Sequence, residues 1–442
     1  MEYKKLYRRI DFPLSLYTGM MLLYSILMVY SALPAEKTFS FTSRHLLAIG
    51  LGLVILLIFA NFNYQLFREA AWTFYLFFVI LLLFLLLSGR PIHGGKRWLS
   101  LGLFSFQPAE PMKLAMVILL AHQLSNWRRN LQRVSSLFWP LVLAMIPAGL
   151  ILLQPDMGTA MVFFPLSLGI LWLGGAQTLH LFSLVSYFFI VGVITFMVSY
   201  FEQQPLIMEQ HVLFFYLYKA FTTVQGILTT GIIVLIGLIS VFFLLKRLRF
   251  QISSVHVLCT VLILLGGILT SYALVGGVMK EYQKRRLAIF LNPGMDPLGA
   301  GYQIIQAKVA VGSGAVMGKG LFQGTQSQLG FIPARHTDFI FAVLSEELGL
   351  VGVMTLLLLY YLILSRGLKI ALQARDDFGT LLAGGITLFI FSQALINMAM
   401  VTGLLPVSGL PLPLMSYGGT AMVTDLASIG ILLSIYRKRY VH

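Results

Sequence analysis

Runs of apolar residues, broken by short polar connections, repeat along almost the whole 442-residue chain. A helix needs about 20 mostly apolar residues to cross a bilayer. On that basis the pattern predicts spans over 12–33, 44–61, 71–88, 110–127, 137–154, 157–174, 179–200, 226–245, 252–278, 338–364, 380–401 and 421–436. Lipid supplies no hydrogen bonds, so spanning segments of this kind must be helical. The expected fold class is therefore an all-α polytopic membrane protein of about 12 spans.

Composition agrees. The chain is 58% hydrophobic and 11% charged, where soluble domains carry about 25% charged residues. Lys4, Lys5, Arg8 and Arg9 precede the first run like a signal peptide, but the run to Leu33 is too long for one and is read as a retained span. Cys259 is the sole cysteine, which rules out an intramolecular disulfide. The net charge of +15 is dispersed over many short loops, a positive-inside pattern rather than a nucleic-acid surface.

With the N-terminus inside, Arg68, Arg128, Arg129, Arg133, Lys246, Arg247, Arg249, Arg366, Lys369, Arg375 and Arg437 to Arg439 all fall on the cytoplasmic side. Both termini are then cytoplasmic. Two external loops break the rule: 89–109, with Arg90, Lys96 and Arg97, and 279–337. Basic residues placed against the topological bias suit phosphate binding, with headgroup anchoring as the alternative.

The second loop is the polar exception of the chain. Between Glu281 and Asp338 its one acidic residue, Asp296, stands among Lys284, Arg285, Arg286, Lys308, Lys319 and Arg335. Asp296 precedes Pro297, so it reads either as a general base or as the N-cap of a helix through Gln303 to Val311. Glycines at 312, 314, 318, 320 and 324 surround Lys319. Such backbone can bring N–H groups to an anion, or can simply turn tightly; the phosphate-loop order GxxxxGK[ST] is absent. Asp338 and Glu346 lie in or beside an apolar span, where ionisable groups need partners or a function. Asp338 reads as a boundary cap, and Glu346 requires a polar partner. Asp156, after Pro155, reads as a helix cap. Trp98 beside Lys96 and Arg97 is an interfacial anchor or a surface for a sugar or lipid. The Pro- and Gly-rich stretch TGLLPVSGLPLPLMSYGGT near the C-terminus reads as an ordered re-entrant loop, which must be buried in protein.

The segments GKRW, QPAEPMK, QPDMGT, FLNPGMDPLGAGYQ, GSGAVMGKGLFQGTQSQLGFIPARHTDFIFAVLSEELG and LPVSGLPLPLMSYGG, in this order, resemble the SEDS family of shape, elongation, division and sporulation proteins. The likeness covers most of the chain and looks most like the rod-shape elongation branch, with division and sporulation members as alternatives. It implies a peptidoglycan glycosyltransferase of the bacterial cytoplasmic membrane that polymerises lipid II at the outer face during cell elongation. A lipid II flippase and a non-catalytic scaffold are the rival readings. The resemblance also implies a core of ten spans, a class B penicillin-binding protein (a transpeptidase) as partner, and other elongation-complex membrane proteins around it. The family's essential aspartate falls on Asp296, and its functional tryptophan on Trp98. Substrate contacts are assigned to Lys96, Arg97, Trp98, Lys319, Arg335, Arg285, Arg286 and Gln303, with Asp338, Glu346 and Asp156 in support. No protein-built metal site is visible and no cofactor is evident; a divalent ion bridging pyrophosphate is the one the chemistry admits. The chain departs from the family between the PDMGT helix and the Asp296 loop. Family members there have one span, and this chain has three. Residues 202–251 are read as an inserted helical hairpin with its connectors, within a single membrane domain over 1–442 whose external catalytic loop is 279–337.

Overall fold

A helix stands over each of the twelve predicted spans. The computed structural model describes residues 11–33, 38–88, 97–100, 105–127, 131, 133–205, 211–248, 254–297 and 299–439. The helices are α1 (Phe12–Ala32), α2 (Thr38–Asn61), the short α3 (Gln65–Glu69), α4 (Ala71–Ser88), α5 (Ala109–Trp127), α6 (Val134–Leu153), α7 (Met157–Leu173), α8 (Thr178–Glu202), α9 (Val212–Thr222), α10 (Val224–Arg247), α11 (Ser254–Ala273), α12 (Glu281–Leu291), α13 (Ala300–Ser313), α14 (Thr325–Gln328), α15 (Ile340–Leu372), α16 (Asp377–Val401) and α17 (Gly419–Lys438). A two-residue antiparallel ladder pairs β1 (Leu99–Ser100) with β2 (Ser105–Phe106). Nine of the described helices are long and apolar enough to cross a membrane. The helix over the predicted span 110–127, α5, is not among them, because Glu110, Lys113, His122, Gln123 and Asn126 interrupt its apolar sequence.

The chain forms two compact units, residues 1–176 with 303–442, and residues 177–302. In the first, α16 and α17 are largely buried, and α5 is buried along almost its whole length. Gly430 sets the approach of α17 to α2: a Cβ there would fall 2.6 Å from the carbonyl oxygen of Leu56. Small residues at such crossings let helix backbones meet where no hydrophobic force distinguishes protein from lipid. Ends are fastened by acids. Asp11 accepts from the amide of Leu14 (2.9 Å) and is gripped by the guanidinium of Arg366 on α15. Asp376 caps α16 through Gly379 and accepts from Tyr64 Oη (2.6 Å) and Gln65 Nε2 (2.9 Å).

The second unit packs α8, α10 and α11 around Ile194, Val198, Ile227, Ile268 and Val275. The connector ahead of the predicted span 226–245 is not irregular. It holds α9, which reaches α10 by a turn in which Thr223 caps the amide of Gly226 (3.0 Å). Its 11 residues are apolar but too short to register as a span, which is why periodicity alone missed it.

The longest helix, α15, contains a break. Gly349 has φ 62° and ψ −155°, a conformation open essentially to glycine alone. The break frees backbone groups that the glycine-rich segment takes up. Lys319 N donates to Glu346 O (3.0 Å), Gly320 N to Glu347 O (2.9 Å), Leu350 N to Ala315 O (3.0 Å) and Val351 N to Val316 O (3.1 Å). A Cβ on Gly349 would also fall 2.4 Å from the amide nitrogen of Gly318. Replacing Gly349 by Ala is expected to destabilise the protein by about 3 kcal/mol or more, from backbone strain plus this clash. Unfolding in detergent, followed by circular dichroism, measures it; a loss below about 0.5 kcal/mol would contradict the account.

Candidate functional site

The sequence-nominated residues fall in both units. In 177–302, α12 carries the basic triplet. Lys284 is buried and structural, 3.0 Å from Glu202 and 3.2 Å from Glu281. Arg285 and Arg286 are exposed. After α12 the chain forms a tight 3-10 turn, Pro293–Met295, which Asp296 closes. Asp296 is therefore not the N-cap of the following helix and Pro297 is not its first residue: α13 begins at Ala300, because Asn292, Pro293 and Gly294 form a turn of their own first. The backbone oxygen of Asp296 accepts from the amides of Gly299 (3.3 Å) and Tyr302 (3.2 Å). Its carboxylate, 21% exposed, lies 3.8 Å from Arg285, itself 61% exposed. The carboxylate lies over Gly299, where a Cβ would fall 2.4 Å from Oδ2. The result is a solvent-reachable carboxylate outside any helix, beside a guanidinium and above a residue with no side chain.

In the other unit a polar cluster is buried among α5, α7, α16 and the segments that flank them. Arg97 lies 3.6 Å from Asp156 Oδ2, and Gln107 Nε2 donates to the same oxygen (2.9 Å). Asp156 Oδ1 caps α7 through the amide of Thr159 (3.2 Å). On α5, Glu110 and Lys113 pair at 2.9 Å with 1% and 0% of their side chains exposed, and Lys113 Nζ donates to Gln393 Oε1 of α16 (2.6 Å). Trp98 is half-buried just ahead of β1. Lys96 lies outside the described residues. Sequence reasoning missed Gln107, Glu110, Lys113, Gln393 and Asn397. The signal was available in QPAEPMK: an acid and a base three residues apart in an apolar helix should face one another inside the bundle.

Asp338 was expected to cap α15 and does not. The N-cap is Phe339, without a side-chain bond, while the Asp338 backbone oxygen accepts from Asn397 Nδ2 (2.9 Å). The residue is not fully buried, but protein encloses its carboxyl. Burial, and after it the charge of Asp156, pushes this carboxyl up to about 7, with Arg97 opposing. A carboxyl that titrates near neutrality in a recess is suited to proton exchange.

Of its two readings, the glycine-rich segment shows the tight turn: the amides of Lys319 and Gly320 donate to carbonyls of the broken turn of α15. Lys319 Nζ is engaged by Glu346 Oε1 (2.8 Å) and Thr325 Oγ1 (2.7 Å). Glu346, which needed a partner, also accepts from the amides of Gln326 (2.8 Å) and Ser327 (3.0 Å). Arg335 is buried, and among the described residues its Nη1 has no hydrogen-bond partner. Gln303 is half-buried on the first turn of α13. In the irregular stretch between α16 and α17, the part from Leu410 to Met415 is largely buried and its backbone groups are met by side chains. The carbonyls of Leu410, Pro411, Pro413 and Met415 accept from Asn397, Gln393, Tyr360 and Ser25, and the amide of Leu414 donates to Asp425. Among the described residues, no group of three or more His, Cys, Asp or Glu side chains is arranged to hold a metal ion.

A helical membrane bundle with a polar interior and a separate, partly exposed aspartate narrows the class. A profile described as "Cell cycle protein", covering FtsW, RodA and SpoVE, matches residues 8–210 and 201–441. The chain belongs to this family, the SEDS proteins. It is 34% identical to the peptidoglycan glycosyltransferase MrdB of Escherichia coli over 421 residues, covering 95% of this chain and 91% of that protein. It is 31% identical to the peptidoglycan glycosyltransferase RodA of Treponema pallidum, covering 97% and 98%. Stage V sporulation protein E of Bacillus subtilis is also 31% identical, with 96% and 94% covered. A chain solved in a study titled "Structural coordination of polymerization and crosslinking by a peptidoglycan synthase complex" is similar at TM-score 0.66 and 25% identity, over 98% of this chain and 99% of that one. The rod shape determining protein RodA of Thermus thermophilus shares the fold at TM-score 0.60 and 24% identity, with 98% of both chains covered.

The position of Asp338 generates a pH test. Its native carboxyl binds a proton up to about 7, whereas the ordinary carboxyl value is 3.8. The native state thus holds more protons than the unfolded state across that window. The stability associated with Asp338 is present below about pH 4 and is lost as pH rises through about 7. Asp338→Asn is expected to flatten this part of the stability–pH profile; a variant with the wild-type slope would count against it.

Proposed function

We infer that this protein is a peptidoglycan glycosyltransferase that polymerises lipid II at the outer face of the cytoplasmic membrane, with both termini in the cytoplasm. Its family and its glycosyltransferase relatives support the activity. The observation that carries the assignment of the chemistry is the Asp296 carboxylate, held off any helix, partly exposed and 3.8 Å from Arg285.

In the proposed step the 4-hydroxyl oxygen of the acceptor's GlcNAc attacks the anomeric carbon of the lipid-linked donor's MurNAc from the face opposite the leaving group. Asp296 takes the hydroxyl proton as the new C–O bond forms. The bond to pyrophosphate breaks, and undecaprenyl pyrophosphate departs with the electron pair. Configuration inverts. A positioned base contributes about 10²–10⁴-fold, and cations beside the leaving group stabilise its growing charge. Arg335, whose buried Nη1 has no hydrogen-bond partner among the described residues, remains nominated for that role with Arg97, Arg285 and Arg286. Lys319 is assigned to holding the loop through Glu346. A divalent ion, if it takes part, would ride on the pyrophosphate oxygens. A class B penicillin-binding protein is the proposed partner, and elongation the proposed setting.

Purified protein with labelled lipid II, with and without the transpeptidase, tests this. Wild-type protein is expected to make glycan polymer, and Asp296→Asn to lose about 10²-fold or more while eluting and melting normally. Polymer at the full rate from that variant would sink the base assignment. Lipid movement without polymer from the wild type would indicate a flippase, and neither activity a scaffold.

A further inference from the structure

We propose that the groove between α1, α2 and α17 is a binding site for an anionic glycerophospholipid. The cavity is about 420 Å³ and is lined by α1 from Ser15 to Leu22, α2 from Leu53 to Asn61 and α17 from Ile429 to Arg437. Its polarity is graded. Ser15, Asn61 and Arg437 lie at one end; Leu22, Leu53 and Ile429 lie at the other. The three helices thus present their polar residues to one membrane surface and their leucines and isoleucine to the interior. From Arg437 to Ile429, and from Asn61 to Leu53, the groove runs eight residues along each helix, or about 12 Å at 1.5 Å per residue. Half of a hydrocarbon core of ~30 Å is about 15 Å, so the groove is one leaflet deep. Exposed Leu16, Met20, Leu57 and Ile58 flank it, so it borders a lipid-facing surface.

Two features select the occupant. Arg437 stands at the polar end, with Nη1 donating to Asn61; its guanidinium at the mouth suits a phosphate. Thr18 lines the groove one turn deeper than Ser15, and its buried hydroxyl has no hydrogen-bond partner among the described residues. Buried hydroxyls are ordinarily partnered. A glycerophospholipid presents, in this order of depth, a phosphate, an ester carbonyl able to accept from Thr18, and an acyl chain. A prenyl pyrophosphate has no ester carbonyl at that depth, so the same lining disfavours it. The inference concerns the basic end of the bundle and does not rest on the chemistry assigned to Asp296.

The test mixes full-length detergent-purified protein with equal amounts of phosphatidylglycerol and phosphatidylcholine and counts retained lipid by native mass spectrometry. One tightly retained phospholipid is expected, phosphatidylglycerol being favoured about fivefold, the contribution of one membrane-facing cation. Arg437→Gln is expected to keep a lipid but lose the preference. Thr18→Val is expected to weaken both lipids alike. Gly19→Leu is expected to expel the lipid, since a Cβ on Gly19 meets nothing within 4 Å and projects into open space in the groove wall. Leucine also favours the helix, so this variant should fold; if it does not, the selectivity of Arg437→Gln still decides. Retention of phosphatidylglycerol by both Gly19→Leu and Arg437→Gln at wild-type levels overturns the proposal, as does equal retention of the two lipids by the wild type.

Discussion

Four backbone hydrogen bonds between the glycine-rich segment and the broken turn of α15 hold the most unusual region of this chain together. An unpaired peptide group away from water costs several kcal/mol, so a helix can break inside a membrane protein only where other backbone arrives to pair it. The segment 314–320 does this. Having arrived, it brings Lys319 against Glu346, and Glu346 in turn gathers Thr325, Gln326 and Ser327. One strained glycine therefore organises a run of loop that composition alone would pass as flexible. The stretch between α16 and α17 solves the same problem by other means, with side chains of four helices taking its carbonyls and amide one at a time.

How far the chain could be read in advance follows from which forces are local. Span positions were legible because about 20 apolar residues in sequence suffice to define a membrane helix; even α9 failed only by being short. The pairings at Gly349 were not legible, since they join residues about 30 positions apart through backbone groups that every residue possesses. A glycine cluster around Lys319 therefore left an anion cradle and a tight turn equally open. The cap reading of Asp296, one of the two left open, fell for a related reason: Asp-Pro is a good helix start, but the preceding Asn-Pro-Gly claimed the turn first. Asp338, likewise, sits two residues ahead of α15 and would cap it on local chemistry, yet Phe339 takes the cap position. The Glu110–Lys113 pair was legible in principle, and was overlooked because its motif had served only for resemblance.

The charged groups divide by environment. Lys113 and Glu110 are buried and paired with each other, and Asp156 is buried against Arg97, Gln107 and the Thr159 amide, so their first effect is to fix helices that hydrophobicity cannot order in lipid. Asp296 is partly exposed, whereas Asp338 has an enclosed carboxyl on a residue that is not fully buried. A group that must exchange protons with a substrate cannot also be locked in a saturated network. Asp296 stands beside an exposed arginine, and Asp338 is enclosed near other acids.

The clasp between Asp11 and Arg366 bears on how the chain is made. Asp11 is fully buried at the head of the first span, and its guanidinium partner follows 355 residues later. At about 5–20 residues per second, a typical rate of synthesis, that is a delay of roughly 20–70 s. During that interval the carboxylate must stay in water, since a buried unpaired charge is too costly to persist. The first helix therefore enters the membrane early but settles to its final depth only when α15 arrives. The start of the protein is finished near its end.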